Sequence, residues 1–267
     1  MKQYSEGFVA LGARLKGIPE VVTLGVRPNF FDYDQGERLL IMEARIILFP
    51  TVNYSQFFTT MGKRIFPSLE THLYADEKIK QTTLFQLLGI PHPRTKIYYR
   101  RHKHQILNDF QFPFIAKIPR NSGRGSGVFL IKNHDELDRY LRISGIAYIQ
   151  EYLPHDRDLR VVMINYDPIL AYWRCVAQGD FRANLARGAA IDFRDIPEAA
   201  LELARHTAVK CRFDDVGLDL LWCYNQWFVI EANMKYGRRG LQARGLSIKE
   251  IMRRKLLSGE LMDCGDV

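Results

Sequence analysis

Nowhere in this chain do about 18 apolar residues run together, so no segment is long and apolar enough to cross a bilayer as a helix. Cysteine is scarce: Cys175, Cys211, Cys223 and Cys264 are the four in 267 residues, and no two form a C-x-x-C pair. That pattern encodes neither a disulfide framework nor a cysteine zinc site, and buried thiols in a reducing cytoplasm are expected. No long uncharged apolar segment follows the basic residues of the N-terminus, so no secretory leader is expected there. The chain has neither a G-x-x-x-x-G-K-[ST] loop nor a G-x-G-x-x-G turn between strand and helix, which removes the Walker and dinucleotide-binding loops. Signatures of homeodomains, zinc fingers and RNA-binding modules are absent, as are internal repeats and low-complexity tracts.

What is present is the balance of a folded globular chain, with 47% hydrophobic and 25% charged residues. Lys and Arg outnumber Asp and Glu by 38 to 30, a net charge of +8 that favours anionic partners without choosing among them. The densest basic cluster, Arg100-Arg101-His102-Lys103-His104, reads as a solvated turn.

Short apolar runs at 21–26 and 46–49, bounded by Gly, Pro and Asn, predict strands of a small α/β lobe in the first seventy or so residues. Ile79, Thr83, Leu84, Leu87 and Leu88 then follow helical spacing, with Asp76 as a candidate N-cap and Gly89 just past the end. The two prolines of Gly89-Ile-Pro-His-Pro force extended chain. Strands are expected at 112–118, 128–131, 147–152, 159–164 and 169–177, with a turn at Asn165-Tyr166-Asp167-Pro168. Asn133 with Glu136 predicts a capping box opening a helix over 135–142. The stretch 180–194 has no clear period and reads as a loop. Asp195, with Glu198 in the N3 position, opens a second helix with Ala200, Leu203, Ala204, Ala208 and Cys211 on one face. Strands at 216–223 and 227–233 complete a hairpin.

Two stretches carry chemistry. SGRGSG, at 122–127, joins two expected strands; its glycines suit either a plain turn or a mobile tip whose N–H groups approach a phosphate. Lys117, five residues ahead in an apolar strand, is either a snorkelling edge charge or an ammonium aimed at an anion. In the final hairpin, Glu231 and Asn233 are two apart and share a face, and a turn centred on Asn225 sets Asp219 opposite Glu231. Burying two carboxylates without a partner is costly, so the alternatives are an exposed polar face or a bound cation. Oxygen-only ligands favour Mg²⁺.

Together these residues resemble the ATP-grasp superfamily and, within it, the RimK-like carboxylate-amine ligases. The resemblance runs in order through ADEKIKQTTLFQLLGIPHPRT, FPFIAKIPRNSGRGSGV, YIQEYLP, DLRVVMI, AYWRCVAQGDFRANLARG, GLDLL and VIEAN, over roughly 76–240. It implies an α+β, ATP-grasp fold: a shortened N-terminal α/β lobe at 1–73, then two subdomains clasping ATP at 74–153 and 154–267. It also implies that Lys78 and Lys117 hold ATP phosphates beneath a flap containing Ser122, Gly123, Gly125 and Ser126. Glu151 and Tyr152 would line the adenine edge, Asp158 would sit near the ribose, and Arg182 and Asn184 would face the nucleotide. Asp219, Glu231 and Asn233 would bind Mg²⁺, with Mn²⁺ as a substitute. The implied reaction phosphorylates a carboxylate, and an amine then attacks to give an amide, ADP and phosphate. Arg160 and Arg174, on neighbouring strands, are candidates for stabilising the acyl phosphate or oxyanion, or else form a structural ion pair.

Two departures bear on substrate. Asn233-Met-Lys-Tyr-Gly-Arg-Arg-Gly240 replaces the small Pro-Gly loop that many relatives carry, and the first lobe is short. Lys235, Arg238 and Arg239 suggest an anionic acceptor. The expected partners are therefore a carboxylate donor and an amine such as glutamate, with no membrane, no nucleic acid, and self-association left open. The alternative is an ATP-binding regulatory module without ligation.

Overall fold

The computed structural model describes residues 7–119, 127–175 and 190–262, and three sheets organise them. The first contains β1 (Phe8–Ala10), β2 (Val21–Thr23), β3 (Ile46–Leu48) and β4 (Ile65–Phe66), with helices α1 (Gln35–Glu43), α2 (Val52–Thr60) and α3 (Leu69–Leu73). Its order is β2-β1-β3-β4 and every pairing is parallel. The unbroken apolar runs of β1 and β3 fit this, because a parallel sheet is covered on both faces.

Helix α4 (Lys78–Leu88) leads to the second sheet. Gly89 ends it in the left-handed region as expected, but the start differs: Glu77 is the N-cap. Asp76 has φ 58° and pairs with Lys235, so its carboxylate is turned away from the helix. The second sheet has order β5-β8-β6-β7 and is antiparallel throughout, from β5 (Thr95–Tyr98), β6 (Phe114–Lys117), β7 (Val128–Ile131) and β8 (Ala147–Glu151), with α5 (Ile106–Asp109) and α6 (His134–Ile143). Strand β5 continues the extended chain beyond the prolines, and pairing with β8 makes it a strand. Asn133 caps α6 through the Glu136 N–H, while Glu136 accepts from Lys132 rather than closing the box. In the basic cluster, Lys103 donates to the carbonyls of Leu141 and Ser144 at the end of α6, while its neighbours are exposed.

The third sheet, β11-β10-β9-β12-β13, comprises β9 (Arg157–Ile164), β10 (Asp167–Cys175), β11 (Ala190–Asp192), β12 (Asp215–Cys223) and β13 (Gln226–Asn233). Strand β11 corrects the expected loop at 180–194: only pairing with β10 makes Ala190-Ile-Asp a strand. Helix α7 (Glu198–Cys211) starts two residues later than expected, with Pro197 rather than Asp195 at its N-cap and Asp195 at φ 51°. Its Ala200, Ala204, Ala208 and Cys211 are buried against Phe85, Trp173 and Leu218, and Leu203 packs at the margin. Helices α8 (Arg239–Ala243) and α9 (Ile248–Leu257) follow.

The alternation of strands divides the first sheet between two cores. Val9, Leu11 and Ile47 face Ile41, Tyr54 and Phe58 of α1 and α2. Phe8, Ala10, Ile46 and Leu48 face Ile251, Met252 and Leu256 of α9. The end of the chain thus completes the core of its beginning. Cys175, Cys211 and Cys223 are free thiols, and Cys264 lies outside the described residues. Among the described residues no helix is long and apolar enough to cross a membrane.

Candidate active site

The hairpin β12–β13 sets the site. Tyr224 and Asn225 both have positive φ and make a two-residue turn that pairs Cys223 with Gln226 and Leu220 with Val229. That register, continued, would set Asp219 opposite Ile230. A bulge between Asp219 and Leu220 shifts it by one residue, so Asp219 pairs with Glu231 and Gly217 with Asn233. The pairing expected from a turn centred on Asn225 is present, produced by a tighter turn and the bulge together.

Strand β9 lies beside β12 and places Arg160 next to Asp219, while β10 places Arg174 next to Asp158. Arg160 clasps Asp219 through Nε and through Nη2 at 3.0 Å. Arg174 holds Asp158 at 2.6 and 2.7 Å and reaches Asp219 Oδ2 at 3.0 Å. Asn233 Nδ2 donates to the same oxygen at 3.1 Å. Burial alone would raise the Asp219 carboxyl, but Arg160 and Arg174 outweigh it and hold it below the ordinary carboxylate value. Burial of Arg174 works against its charge, and the two carboxylates overcome this and raise its pKa.

Two lysines close on this cluster. Lys78, the first residue of α4, sets Nζ 3.0 Å from Glu231 Oε1. Gln81, one turn on, fixes that helix to β13, donating to the Ala232 carbonyl at 2.9 Å and accepting from its N–H at 3.2 Å. Lys117 ends β6 and is 5% exposed, and its Nζ lies 5.6 Å from the centre of the Tyr148 ring. Burial pushes its pKa down to about 8, helped by Lys78 and opposed by Glu231 and Asp219. Among the described residues no carboxylate forms an ion pair with this ammonium.

The remaining expected residues divide into three groups. Glu151 ends β8 and its Oε1 accepts from the Arg94 N–H at 2.6 Å; Tyr152 beside it is half-buried. Leu153 then packs on Leu221, Cys223 and Phe228, so this segment joins the second sheet to the hairpin. Asp158 is 6% exposed and each of its oxygens accepts one bond from Arg174, so it anchors that guanidinium. Ser122, Gly123, Gly125, Ser126, Arg182 and Asn184 lie outside the described residues. The ends of their segments are fixed: Lys117 pairs with Val128, and Cys175 with Ala190.

Sequence reasoning missed Arg14, Asp215 and Tyr236, which form a second buried cluster beside Arg160. Its one sequence signal is Asp214-Asp215 between Phe213 and Val216, carboxylates in an apolar strand like Asp219.

The donor chemistry suits Mg²⁺. Asp219, Glu231 and Asn233 offer only oxygen ligands from facing strands. Among the described residues no three His, Cys, Asp or Glu side chains cluster as a metal site; beside the two carboxylates, Asn233 offers an amide oxygen.

Two antiparallel sheets with lysines from one side facing an acidic hairpin on the other define an ATP-grasp protein. Solved structures agree on the fold. The ATP-grasp ligase PsnB complexed with minimal precursor gives a TM-score of 0.68 at 16% identity, covering 95% of this chain and 99% of that one. D-alanine–D-alanine ligase from Bacillus anthracis gives 0.65 at 12% identity, covering 91% and 86%. Within that fold the chain belongs to the RimK-like ATP-grasp family, whose domain matches residues 75–255. It is 27% identical over 176 residues to the ribosomal protein bS6–L-glutamate ligase of Escherichia fergusonii, and 26% to that of Shigella boydii. Each alignment covers 63% of this chain and 58% of the relative, so the chain matches little more than half the length of either.

Proposed function

We propose that this protein is an ATP-dependent carboxylate-amine ligase that makes an amide or peptide bond through an acyl phosphate and releases ADP and phosphate. The observation that carries the reading is Lys117, a buried ammonium without an anionic partner among the described residues, beside Lys78 and the Asp219–Glu231 pair. A buried cation calls for an anion, and a triphosphate supplies one.

A free carboxylate is a poor electrophile, so the protein's work is positioning and charge neutralisation. Lys78 and Lys117 bind phosphate oxygens, and the backbone after Glu151 holds the base. Asp219, Glu231 and Asn233 would hold Mg²⁺, which bridges substrate phosphates and neutralises their charge when bound. Arg160 donates from all three nitrogens to Asp219 and the Tyr236 carbonyl, so it orients Asp219. Arg174 keeps Nη1 outside its bonds to Asp158 and Asp219, and is the better candidate for an acyl-phosphate oxygen.

The amine is an amino acid such as glutamate, the residue its bacterial relatives are named for. Exposed Arg238, beside Lys235 paired to Asp76, supports an anionic acceptor near this loop. The free thiols of Cys175, Cys211 and Cys223 suit a reducing cytoplasm. The test is mass spectrometry of Mg²⁺·ATP reactions with L-glutamate and glutamate-ended peptides. An amide product with stoichiometric ADP supports the ligase. Tight ATP binding with no product across the panel would instead make the chain a regulatory module.

A further inference from the structure

Arg14 belongs to the turn between β1 and β2, far from the hairpin in sequence, and yet its guanidinium ends in the third sheet. Nη1 donates to Asp215 Oδ2 at 2.8 Å, across 201 residues, and Nη2 donates to the Tyr236 hydroxyl at 2.8 Å. The Tyr236 hydroxyl in turn donates to Asp215 Oδ1 at 2.7 Å, closing a three-membered ring of bonds. The guanidinium carbon also lies 5.0 Å from the Phe49 ring centre and 5.6 Å from that of Tyr236.

Tyr236 is the joint between this ring and the site. Its carbonyl accepts from Arg160 Nη1 at 3.0 Å, and Arg160 then grips Asp219 with its other two nitrogens. The Tyr236 side chain lies over Gly217, where any Cβ would stand 2.4 Å from Tyr236 Cβ. The loop that leaves Asn233 is thus held against β12 at Tyr236 by the ring, by Arg160 and by close packing on Gly217. Asp215 and Asp219 are two turns of the pleat apart on one strand, so the same strand carries both ends of the relay.

We infer that Arg14, Asp215 and Tyr236 are positioning residues: they couple the first lobe to the catalytic cluster by holding the loop after Asn233 and, through Arg160, the orientation of Asp219. This rests on the reading of Asp219 as part of the nucleotide site. None of the three need touch substrate. Through them the first lobe, in which Arg14 is rooted, is tied to Asp219 and to the loop after Asn233.

The full chain, Tyr236→Phe, Arg14→Ala and Arg14→Lys are compared by amide hydrogen exchange and by ADP release from Mg²⁺·ATP in the presence of L-glutamate and glutamate-ended peptides. Exchange over 234–240 should speed by about tenfold in Tyr236→Phe and Arg14→Ala while β6 and β9 keep their rates. In the same variants kcat should fall by about tenfold with KM for ATP within about twofold, since outer partners of a metal site act on the chemistry. Arg14→Lys, which can keep Asp215 but not both partners, should recover part of each. Unchanged exchange over 234–240 in both variants overturns the coupling whatever the activity. Faster exchange with full kcat overturns the positioning role. A wild-type chain that releases no ADP sinks the ligase reading alone; exchange over 234–240 then decides the inference, which is overturned if it stays unchanged in both variants.

Discussion

Lys78 Nζ stands 3.0 Å from Glu231 Oε1, joining the first turn of α4 to the second strand of the acidic hairpin. Each residue would serve a different part of Mg²⁺·ATP, the lysine its phosphates and the carboxylate its cation. Here the two neutralise each other. Both side chains are partly exposed, at 12% and 26%, so the pair itself adds at most about 1 kcal/mol to stability. Glu231→Gln should therefore melt within a few degrees of wild type and lose about 10²-fold or more in kcat, because a ligand of the cation is gone. Thermal melting beside ADP release checks both halves.

Lys117 should make nucleotide binding pH-dependent. Its pKa of about 8 means that the free protein carries the ammonium below pH 8 and loses it above. Phosphate binds the charged form, so ATP affinity should fall by up to tenfold per pH unit as pH rises above 8. Lys117→Arg should flatten this dependence, since guanidinium stays charged. Stability runs the other way. Between about 8 and the ordinary 10.5 the unfolded chain holds more protons than the folded one, so the free protein gains stability as pH rises through that window. Calorimetric titrations at pH 7, 8 and 9, with urea melts at the same values, test the two signs.

Arg174 neutralises two buried carboxylates, so removing it alone should be worse than removing it with one of them. Arg174→Met leaves Asp158 buried without its two hydrogen bonds and should destabilise by roughly 3–5 kcal/mol. Arg174→Met with Asp158→Leu should recover much of that loss. Urea midpoints for the single and double variants measure the difference; equal midpoints would mean the pair is not structurally coupled.

Gly217 and Gly240 are required for space. An alanine Cβ at Gly217 would lie 2.4 Å from Tyr236 Cβ and 3.2 Å from Arg160 Cδ, and at Gly240 it would lie 2.3 Å from the Tyr172 ring. Either substitution should destabilise by about 1–3 kcal/mol through overpacking. Gly217→Ala should also lower activity beyond its effect on stability, because it displaces the residues that hold Asp219. Comparing kcat for the two variants at matched folded fraction separates these effects.

Much of the fold is legible because its segments repeat with the right period. The apolar spacing of 79–88 and the left-handed Gly89 mark α4, and the polar positions inside 216–223 and 227–233 mark the hairpin. Helix starts were harder. Asp76 and Asp195 have the chemistry of N-caps, but both sit at positive φ and the helices begin later. Strand β11 is invisible until β10 lies beside it. The resemblance places Asp158 near a ribose; only the neighbouring strand shows that each of its oxygens also accepts from Arg174.

The order of motifs from Lys78 to Asn233 by itself determined the family and which side chains carry charge into apolar strands, because both are properties of local spacing. Tertiary structure alone decided the bulge that turns Asp219 toward Glu231, the partners of Arg160 and Arg174, and the reach of Arg14 into the third sheet. These depend on strands and turns brought together from distant parts of the chain, and the pairing of buried charges follows that meeting, not the residues' places in the sequence.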